Sequence, residues 1–159
     1  MSRVAGAGIS VEVPQGWEAR LYARPPADAV VAPAQARHGS LDGNAVLHVA
    51  SFALPPGTGD YGGGATPLMA SKDLFVILME HGRQSAATAL FAARGIPRLR
   101  VEDVSTTQLQ RIIEGQGGAQ KFFNVNRRAF CLYVVFGSYL RRSRTVPVVN
   151  EILGSLTIE

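Results

Sequence analysis

The chain has 159 residues, of which 47% are hydrophobic and 18% are charged, and its formal net charge is +4. This length fits one domain with its own core, and the composition excludes an intrinsically disordered chain. The single cysteine excludes an intramolecular disulfide and therefore a disulfide-stapled scaffold. The first ten residues lack the apolar core of a signal peptide, and no stretch approaches the roughly 18 apolar residues that span a bilayer. We therefore expect one cytoplasmic domain covering residues 1–159, without a membrane span.

Three strands are predicted in the first third of the chain. Residues 9–13 and 17–24 alternate apolar and polar side chains on either side of a Pro-Gln-Gly turn, which predicts a hairpin of half-buried strands. Residues 25–43 are rich in Ala, Pro and Gly and predict a long loop. Residues 45–54 predict the third strand, which ends at a pair of prolines.

The middle of the chain predicts short helices around one buried strand. Thr66-Pro67 is a good helix start, with Thr as the N-cap and Pro in the first turn. Residues 74–79 form a continuous apolar run, which predicts a strand buried on both faces. The Ala-rich segment 85–98 predicts one or two helical turns, and residues 105–108 match a capping box that opens another helix. The apolar stripe of that helix would be Leu109, Ile112 and Ile113.

The last part of the chain predicts a hairpin followed by a helix. Residues 120–125 and 129–136 flank Asn126-Arg127, and both faces of the second strand are apolar, so we predict that it lies centrally in a sheet. Residues 147–156 place apolar side chains on one helical face. The whole pattern predicts an α+β fold, with a curved, mainly antiparallel β-sheet flanked by helices and a C-terminal β-hairpin followed by a helix.

A glycine motif raises the possibility of nucleotide binding. Gly57, Gly59 and Gly62 match G-x-G-x-x-G between a strand and a helix start, and Glu80 follows at about the distance of a ribose-binding acid. His81, beside it at a strand end, is the best-placed residue for acid–base work. Two prolines separate the glycines from the strand, however, and the chain does not alternate β with α, so a surface loop is favoured. A nucleotide-binding module or an enzyme that uses this loop with Glu80 and His81 stays an alternative.

Two residues in the predicted buried strands, a histidine and a cysteine, are of types that can act in catalysis. His48 shares a strand face with Val46 and Ala50, which indicates a hydrogen-bonded structural histidine rather than a catalytic base. Cys131 lies in the apolar second strand of the hairpin, where burial predicts a small hydrophobe with a raised pKa rather than a nucleophile. The histidines are not spaced as metal ligands, so we predict no metal site. The favoured interpretation as a binding domain also predicts no catalytic residue and no cofactor.

Five arginines flank the second strand of this hairpin. Arg127 and Arg128 lie at the hairpin turn, and the other three lie in the connection to the last helix, about 27 Å away along a strand of about eight residues. Because the arginines form two patches and the nearby aromatic residues belong to the strands, the pattern argues against nucleic-acid binding. The candidate residues for binding a ligand or partner are Trp17, Tyr61, Arg141, Arg142 and Arg144.

Three segments together resemble a family of small actinobacterial proteins. They are Val-Pro-Gln-Gly-Trp at 13–17, the hairpin strand at 128–137 and the closing helix at 149–156. More distantly they are similar to the PsbP-like superfamily, which includes photosystem II extrinsic proteins, a nuclear-import factor that binds the Ran GTPase, and bacterial lipoproteins. The resemblance implies a curved antiparallel sheet between helices and a role in binding or scaffolding rather than catalysis. No lipobox cysteine is present, so the lipoprotein role is not implied.

These observations predict a non-enzymatic interaction domain that binds a protein partner, a second copy of itself or a small ligand. The modest charge of +4 permits an acidic partner without requiring one. Besides the nucleotide-binding or enzymatic alternative, a structural subunit of a larger assembly stays open.

Overall fold

The computed structural model describes residues 1–24 and 44–159. In these ranges the chain forms eight β-strands, arranged as antiparallel sheets of three and five strands, and one α-helix. The predicted loop at 25–43 lies outside the described residues. None of the described helices could reach across a bilayer, because none is both long and apolar enough.

The three-stranded sheet pairs segments that are far apart in the sequence. Its strands are β1 (Ser2–Gly6), β2 (Ile9–Val13) and β8 (Thr157–Ile158), in the order β1-β2-β8. Ala7 and Gly8 form the tight turn between the first two strands, with φ of 54° and 72°. Positive φ at both turn residues matches the right-handed twist of a two-residue hairpin, so β1 and β2 pair over their full length.

The five-stranded sheet forms the centre of the protein. Its strands are β3 (Glu18–Ala23), β4 (Ala45–Ala50), β5 (Leu74–His81), β6 (Gly117–Val125) and β7 (Arg128–Phe136). They stand in the order β3-β4-β5-β7-β6, and all neighbours are antiparallel. All of β4 and nearly all of β5 and β7 are buried, because both faces of these inner strands are covered. The predicted buried strand at 74–79 and the predicted inner position of β7 are confirmed.

The predicted hairpin between residues 9–13 and 17–24 is wrong. β2 pairs with β1 and β8, whereas β3 pairs with β4, so the turn that begins at Pro14 carries the chain from one sheet to the other. Alternation of apolar and polar residues predicts a strand but not its partner. The segment that forms β1, SRVAG, has no strong strand pattern of its own, so the true partner of β2 gave no signal.

The first two predicted helical segments form only single turns of 3-10 helix. Thr66–Leu68 is one such turn, and its N-cap is Ala65, without a side-chain hydrogen bond, rather than Thr66. The Ala-rich segment forms two turns, at Arg83–Ala87 and Ala89–Phe91, in agreement with the one or two turns predicted there.

The predicted helix that begins with the capping box at 105–108 is wrong. The Ser105 hydroxyl accepts a hydrogen bond from the Thr107 N–H at 3.1 Å, which closes a local turn instead of capping a helix. The main chain of Ser105 pairs with Gly118 of β6 through two hydrogen bonds of 2.8 Å. The segment therefore covers the edge of β6 as irregular chain, and Ile112 of the predicted stripe is 68% exposed.

The C-terminal helix is confirmed, but its start differs from the prediction. The helix α1 (Arg142–Ser155) begins ahead of the predicted range 147–156 and contains Pro147 in its second turn. Proline is tolerated best in the first turn, so Pro147 indicated a start that the structure does not have. The buried face of α1 consists of Val146, Val149, Ile152 and Leu153.

Two hydrophobic cores lie on opposite faces of the five-stranded sheet. The helix-side core lies between that sheet, α1 and the three-stranded sheet and includes Val11, Leu78, Phe130 and Ile152. The loop-side core includes Phe75, Ile77, Met79 and Tyr133. Successive residues of a strand point to opposite faces, so the position of a residue in β5 or β7 says which core it joins. The antiparallel α+β fold class is confirmed, with a helix on one face; on the other face the described residues supply only loops and single turns.

Candidate functional site

An open groove of about 1080 Å³ lies beside the turn of the β6–β7 hairpin. One wall is the segment 83–95, and the other is the hairpin end at 124–127. Four alanines line the groove with small side chains, and three arginines supply its charge. We call this site the arginine groove and define it by Arg83, Arg94 and Arg127.

Asn124 of β6 holds one wall of the arginine groove, the segment 83–95, against the edge of the sheet. Its backbone N–H donates to the Ala93 carbonyl at 2.8 Å, and its carbonyl accepts from the Gly95 N–H at 2.9 Å. Its side-chain Nδ2 donates to the Phe91 carbonyl. Phe91 is buried, with its ring centre 5.6 Å from that of Phe122. The wall is therefore held to the edge of the sheet by main-chain pairing and by aromatic packing.

The hairpin turn places Arg127 in a conformation that favours glycine. Asn126 and Arg127 have φ of 50° and 64°, the left-handed region that two-residue hairpin turns need. This region costs a residue with a Cβ roughly 1 kcal/mol. The cost is smaller for Asn than for Arg, and it is absent for Gly. Asn126 Nδ2 also donates to the Ile158 carbonyl at 2.9 Å, which ties the turn to β8. The position of Arg127 is thus fixed by the backbone of a braced turn.

The described walls of the arginine groove carry no carboxylate. None of the described residues that line it is acidic. Glu80, near the same end of the sheet, is already engaged: Arg128 donates to its two carboxylate oxygens from Nε and Nη2, at 2.8 and 3.0 Å. Because Glu80 is 1% exposed and its charge is offset inside the protein, it does not oppose an incoming anion.

The glycine loop, residues 57–64, lies over the loop-side core. A Cβ on Gly62 would come within 3.1 Å of the Phe75 ring and 3.4 Å of the Ile77 side chain. Glu80 alternates with these two residues along β5, so its side chain points to the helix-side core. The structure therefore places the glycine loop and Glu80 on opposite faces of the sheet and does not bring them together.

Asp60 connects the glycine loop to the sheet. The Tyr22 hydroxyl donates to Asp60 Oδ1 at 2.5 Å, and His48 Nε2 bonds to the Asp60 carbonyl at 2.9 Å. Since a carbonyl only accepts, we assign the proton to Nε2. Burial, together with Asp60, raises the pKa of Tyr22, whereas burial lowers the pKa of His48. His48 is buried and hydrogen-bonded, as the sequence predicts.

His81 and Cys131 also belong to the loop-side face. The ring centre of His81 lies 5.2 Å from that of Phe91, and its pKa is lowered by burial and then by the charge of Arg24. Cys131 is fully buried; burial raises the pKa of its thiol, and Gln120 Nε2 lies 3.4 Å from its Sγ. Cys131 is therefore the small core residue that the sequence predicts.

His48 and the half-buried His81 predict a loss of stability in mild acid. In the unfolded chain histidine titrates near pH 6.5, whereas the lowered pKa values of His48 and His81 keep both neutral in the folded protein below that pH. Their contribution to stability is complete above about pH 6.5 and is lost as the pH falls toward their folded pKa values. Urea denaturation should therefore give a lower free energy of unfolding at about pH 5.5 than at about pH 7.5.

A variant that does not titrate provides the control for this experiment. Gln in the variant His48→Gln keeps a side-chain donor for the Asp60 carbonyl but binds no proton in this range. Its free energy of unfolding should change less between the two pH values than that of the parent chain. His38, which lies outside the described residues, is the same in both proteins. An equal pH dependence in the two proteins would contradict the role assigned to His48.

The five residues predicted to bind a ligand or partner do not form one surface. Trp17 is half-buried against the helix-side core, whereas Tyr61 packs against the loop-side core on the opposite face of the sheet. The predicted position of the three arginines, on a loop before a helix, is also corrected. Arg142 and Arg144 lie in the first turn of α1, and Arg141 directly precedes it.

The sequence places Arg127 and Arg128 at the hairpin turn but does not predict the arginine groove. Arg83 and Arg94 are distant from Arg127 in the sequence, and they meet it because the segment around Arg94 pairs with the edge of β6. One signal was present in the sequence. The second residue of the two-residue turn Asn126-Arg127 is an arginine, although such hairpin turns favour glycine at that position.

No protein-family model matches the chain, and no curated protein or solved structure matches it either. The resemblance to the actinobacterial family and to the PsbP-like superfamily therefore stays a prediction. Within residues 1–24 and 44–159, no group of three or more His, Cys, Asp or Glu side chains is placed to hold a metal ion.

Proposed function

We propose that the chain is a non-enzymatic interaction domain whose arginine groove binds an acidic segment of a partner protein. The observation that carries this proposal is that Arg94 and Arg127 line an open groove whose described lining contains no acidic residue. A cytoplasmic location, which the sequence leads us to expect, is part of the proposal.

The size of the groove favours a peptide segment over a small ligand. Pockets for small ligands have volumes of about 300 to 1000 Å³ and enclose most of the ligand surface. The arginine groove has a volume of about 1080 Å³ and is open to solvent. The four alanines in its walls leave room for a second main chain to approach. An extended peptide suits this shape better than a compact molecule.

The chemistry of the lining favours carboxylates. Arginine presents a planar fork of donors that pairs with a carboxylate through two hydrogen bonds. A site for single-stranded nucleic acid would add aromatic side chains for base stacking, and the described lining has none. The same lining residues include no histidine, cysteine or carboxylate to serve as a base or nucleophile. These features together support binding of an acidic peptide rather than catalysis.

A fluorescein-labelled hexaglutamate peptide tests the proposal by fluorescence anisotropy. The parent chain should bind it at low ionic strength, with an affinity that falls as salt is added. The variant Arg94→Ala/Arg127→Gly loses two charge-assisted pairs, so its Kd should rise at least about tenfold. Hexaglutamine and hexalysine peptides should bind neither protein.

Two controls separate loss of the groove from loss of the fold or of net charge. The change Arg127→Gly removes the strain of a positive φ, so the groove variant should fold normally. The variant Arg141→Ala/Arg144→Ala loses the same charge beyond the other end of β7 and should bind like the parent chain. Equal loss in both variants, or no loss in the groove variant, would overturn the proposal. ATP binding that the groove variant leaves unchanged would instead support the glycine-loop alternative.

A further inference from the structure

Three loops leave the five-stranded sheet at the same end. Leu74 at the start of β5 pairs with Phe136 at the end of β7, and Phe136 also pairs with Gly117 at the start of β6. The loops before β5, before β6 and after β7 therefore emerge side by side, at the end of the sheet opposite the arginine groove. We call this surface the loop end; it consists of residues 66–73, 111–116 and 137–144.

Hydrogen bonds join the three loops to one another. Gln116 Nε2 donates to the Thr66 carbonyl at 2.8 Å, which links the first loop to the second. The Tyr139 N–H donates to the Gly115 carbonyl at 2.8 Å, which links the second loop to the third. Gly137 packs so closely on the first loop that a Cβ would overlap its backbone. The loop end is therefore one connected surface.

Each of these loops exposes one aliphatic side chain. Leu68, Ile112 and Leu140 are 62%, 68% and 86% exposed. Removal of a leucine or isoleucine side chain from water is favourable, so these three side chains are available to insert into an apolar environment.

The same loops carry an excess of positive charge. Their cations are Lys72, Arg111, Arg141, Arg142 and Arg144, and their carboxylates are Asp73 and Glu114. The Asp73 carboxylate accepts hydrogen bonds from the Ser51 hydroxyl and the Ala70 N–H, so its charge is held within the fold. The aliphatic side chains of the loop end are thus accompanied by a mainly cationic surface.

The arginines of the loop end are unfavourably placed for the helix that they begin. Arg141 is the N-cap of α1, Arg142 and Arg144 lie in its first turn, and that turn has no acidic residue. The N-terminus of a helix carries partial positive charge, which favours anions and disfavours cations. The Arg142 guanidinium lies 3.8 Å from the ring centre of Tyr139, which holds it in place. A fixed anionic surface would offset the repulsion at this helix end.

We propose that the loop end docks on an anionic lipid bilayer, where Leu68, Ile112 and Leu140 enter the headgroup region and the cations pair with anionic lipids. Shallow insertion of apolar side chains combined with a cluster of cations is what holds a peripheral protein on such a surface. Protein interfaces are instead centred on aromatic side chains in packed pockets, whereas the exposed apolar groups here are separate aliphatic side chains. This second surface does not depend on the arginine groove.

Vesicle sedimentation tests the proposal with matched variants. The parent chain should sediment with phosphatidylcholine vesicles that contain about 30% phosphatidylserine, and not with pure phosphatidylcholine. Each cation near the surface contributes about fivefold, so Arg141→Glu/Arg144→Glu should weaken binding at least about tenfold. Leu68→Ser/Ile112→Ser/Leu140→Ser should also bind at least about tenfold more weakly. The groove variant Arg94→Ala/Arg127→Gly should bind like the parent chain.

A fluorophore at the loop end distinguishes membrane insertion from binding to an acidic protein. In the variant Leu140→Cys an environment-sensitive dye will label position 140 selectively, because Cys131 is fully buried. Its emission should shift to the blue with anionic vesicles but not with the hexaglutamate peptide. The charge-reversed variant should fold normally, since glutamate suits a helix N-terminus. Absence of sedimentation, parent-like binding of the serine variant, or a blue shift with hexaglutamate would each overturn the proposal.

Discussion

Replacing Glu80 by glutamine is expected to lower the free energy of unfolding by about 3 to 5 kcal/mol, the usual cost of breaking a buried ion pair from one side. The Glu80 carboxylate is 1% exposed and accepts two hydrogen bonds from the Arg128 guanidinium, at 2.8 and 3.0 Å. The variant Glu80→Gln removes the negative charge that offsets desolvation of this guanidinium. Urea denaturation at neutral pH measures the loss.

Two comparisons show whether burial causes the effect. The double variant Glu80→Leu/Arg128→Met removes both charges, so it should be more stable than Glu80→Gln alone. The variant Arg100→Gln breaks a pair with Asp103 at 3.9 Å in which the arginine is 75% exposed, and it should cost less than about 1 kcal/mol. A loss of less than about 1 kcal/mol in Glu80→Gln would show that the pair is not effectively buried.

The second large effect is expected at Gly118, where two segments touch. A Cβ on Gly118 would overlap the Gln108 carbonyl oxygen and would lie 2.7 Å from a methyl group of Leu109. The change Gly118→Ala must therefore displace the segment that covers the edge of β6, together with the hydrogen bonds between Ser105 and Gly118. Strain of this kind costs about 1 to 3 kcal/mol, and the two hydrogen bonds add about 1 kcal/mol each, so we expect a total loss of about 3 to 5 kcal/mol.

Gly154 is the matched control for Gly118. It lies within α1, and a Cβ built on it meets no atom within 4 Å. The change Gly154→Ala should raise the free energy of unfolding by about 0.5 to 1 kcal/mol, because alanine loses less backbone entropy in a helix. Denaturation curves of both variants measure the contrast. A Gly118→Ala variant as stable as the parent chain would mean that the covering segment is not closely packed on β6.

The inner strands could be predicted because their signal is local. β5 and β7 are long apolar runs, and a strand needs such a run when both of its faces are covered. The segment after Ser105 could not be predicted in the same way. The Ser105 hydroxyl accepts a hydrogen bond from the Thr107 N–H, and the Ser105 main chain pairs with Gly118, so pairing with the sheet overrides the capping pattern.

The arginine groove could not be assembled from the sequence for a similar reason. The left-handed turn at Arg127 is readable locally, but Arg94 reaches the hairpin through the pairing of its segment with Asn124, about thirty residues further along the chain. The chemistry of Trp17 and Tyr61 makes them candidates for binding, whereas their exposure depends on packing against opposite faces of the sheet. Residue type can suggest a ligand, but only tertiary contacts decide which side chains meet.

The pairing of β2 with β8 imposes an order on folding. The hydroxyl oxygens of Ser10 and Thr157 lie 2.6 Å apart, although the two residues are separated by 147 positions in the sequence. Closing so long a loop costs chain entropy before any contact can offset it, whereas β6 and β7 meet across a two-residue turn. We therefore expect the hairpin to form early and β2 to dock after α1 has placed β8. Until that late step the buried residues of β2 and the face of α1 that they cover would stay open to solvent, so we expect the chain to be most exposed to aggregation in this interval.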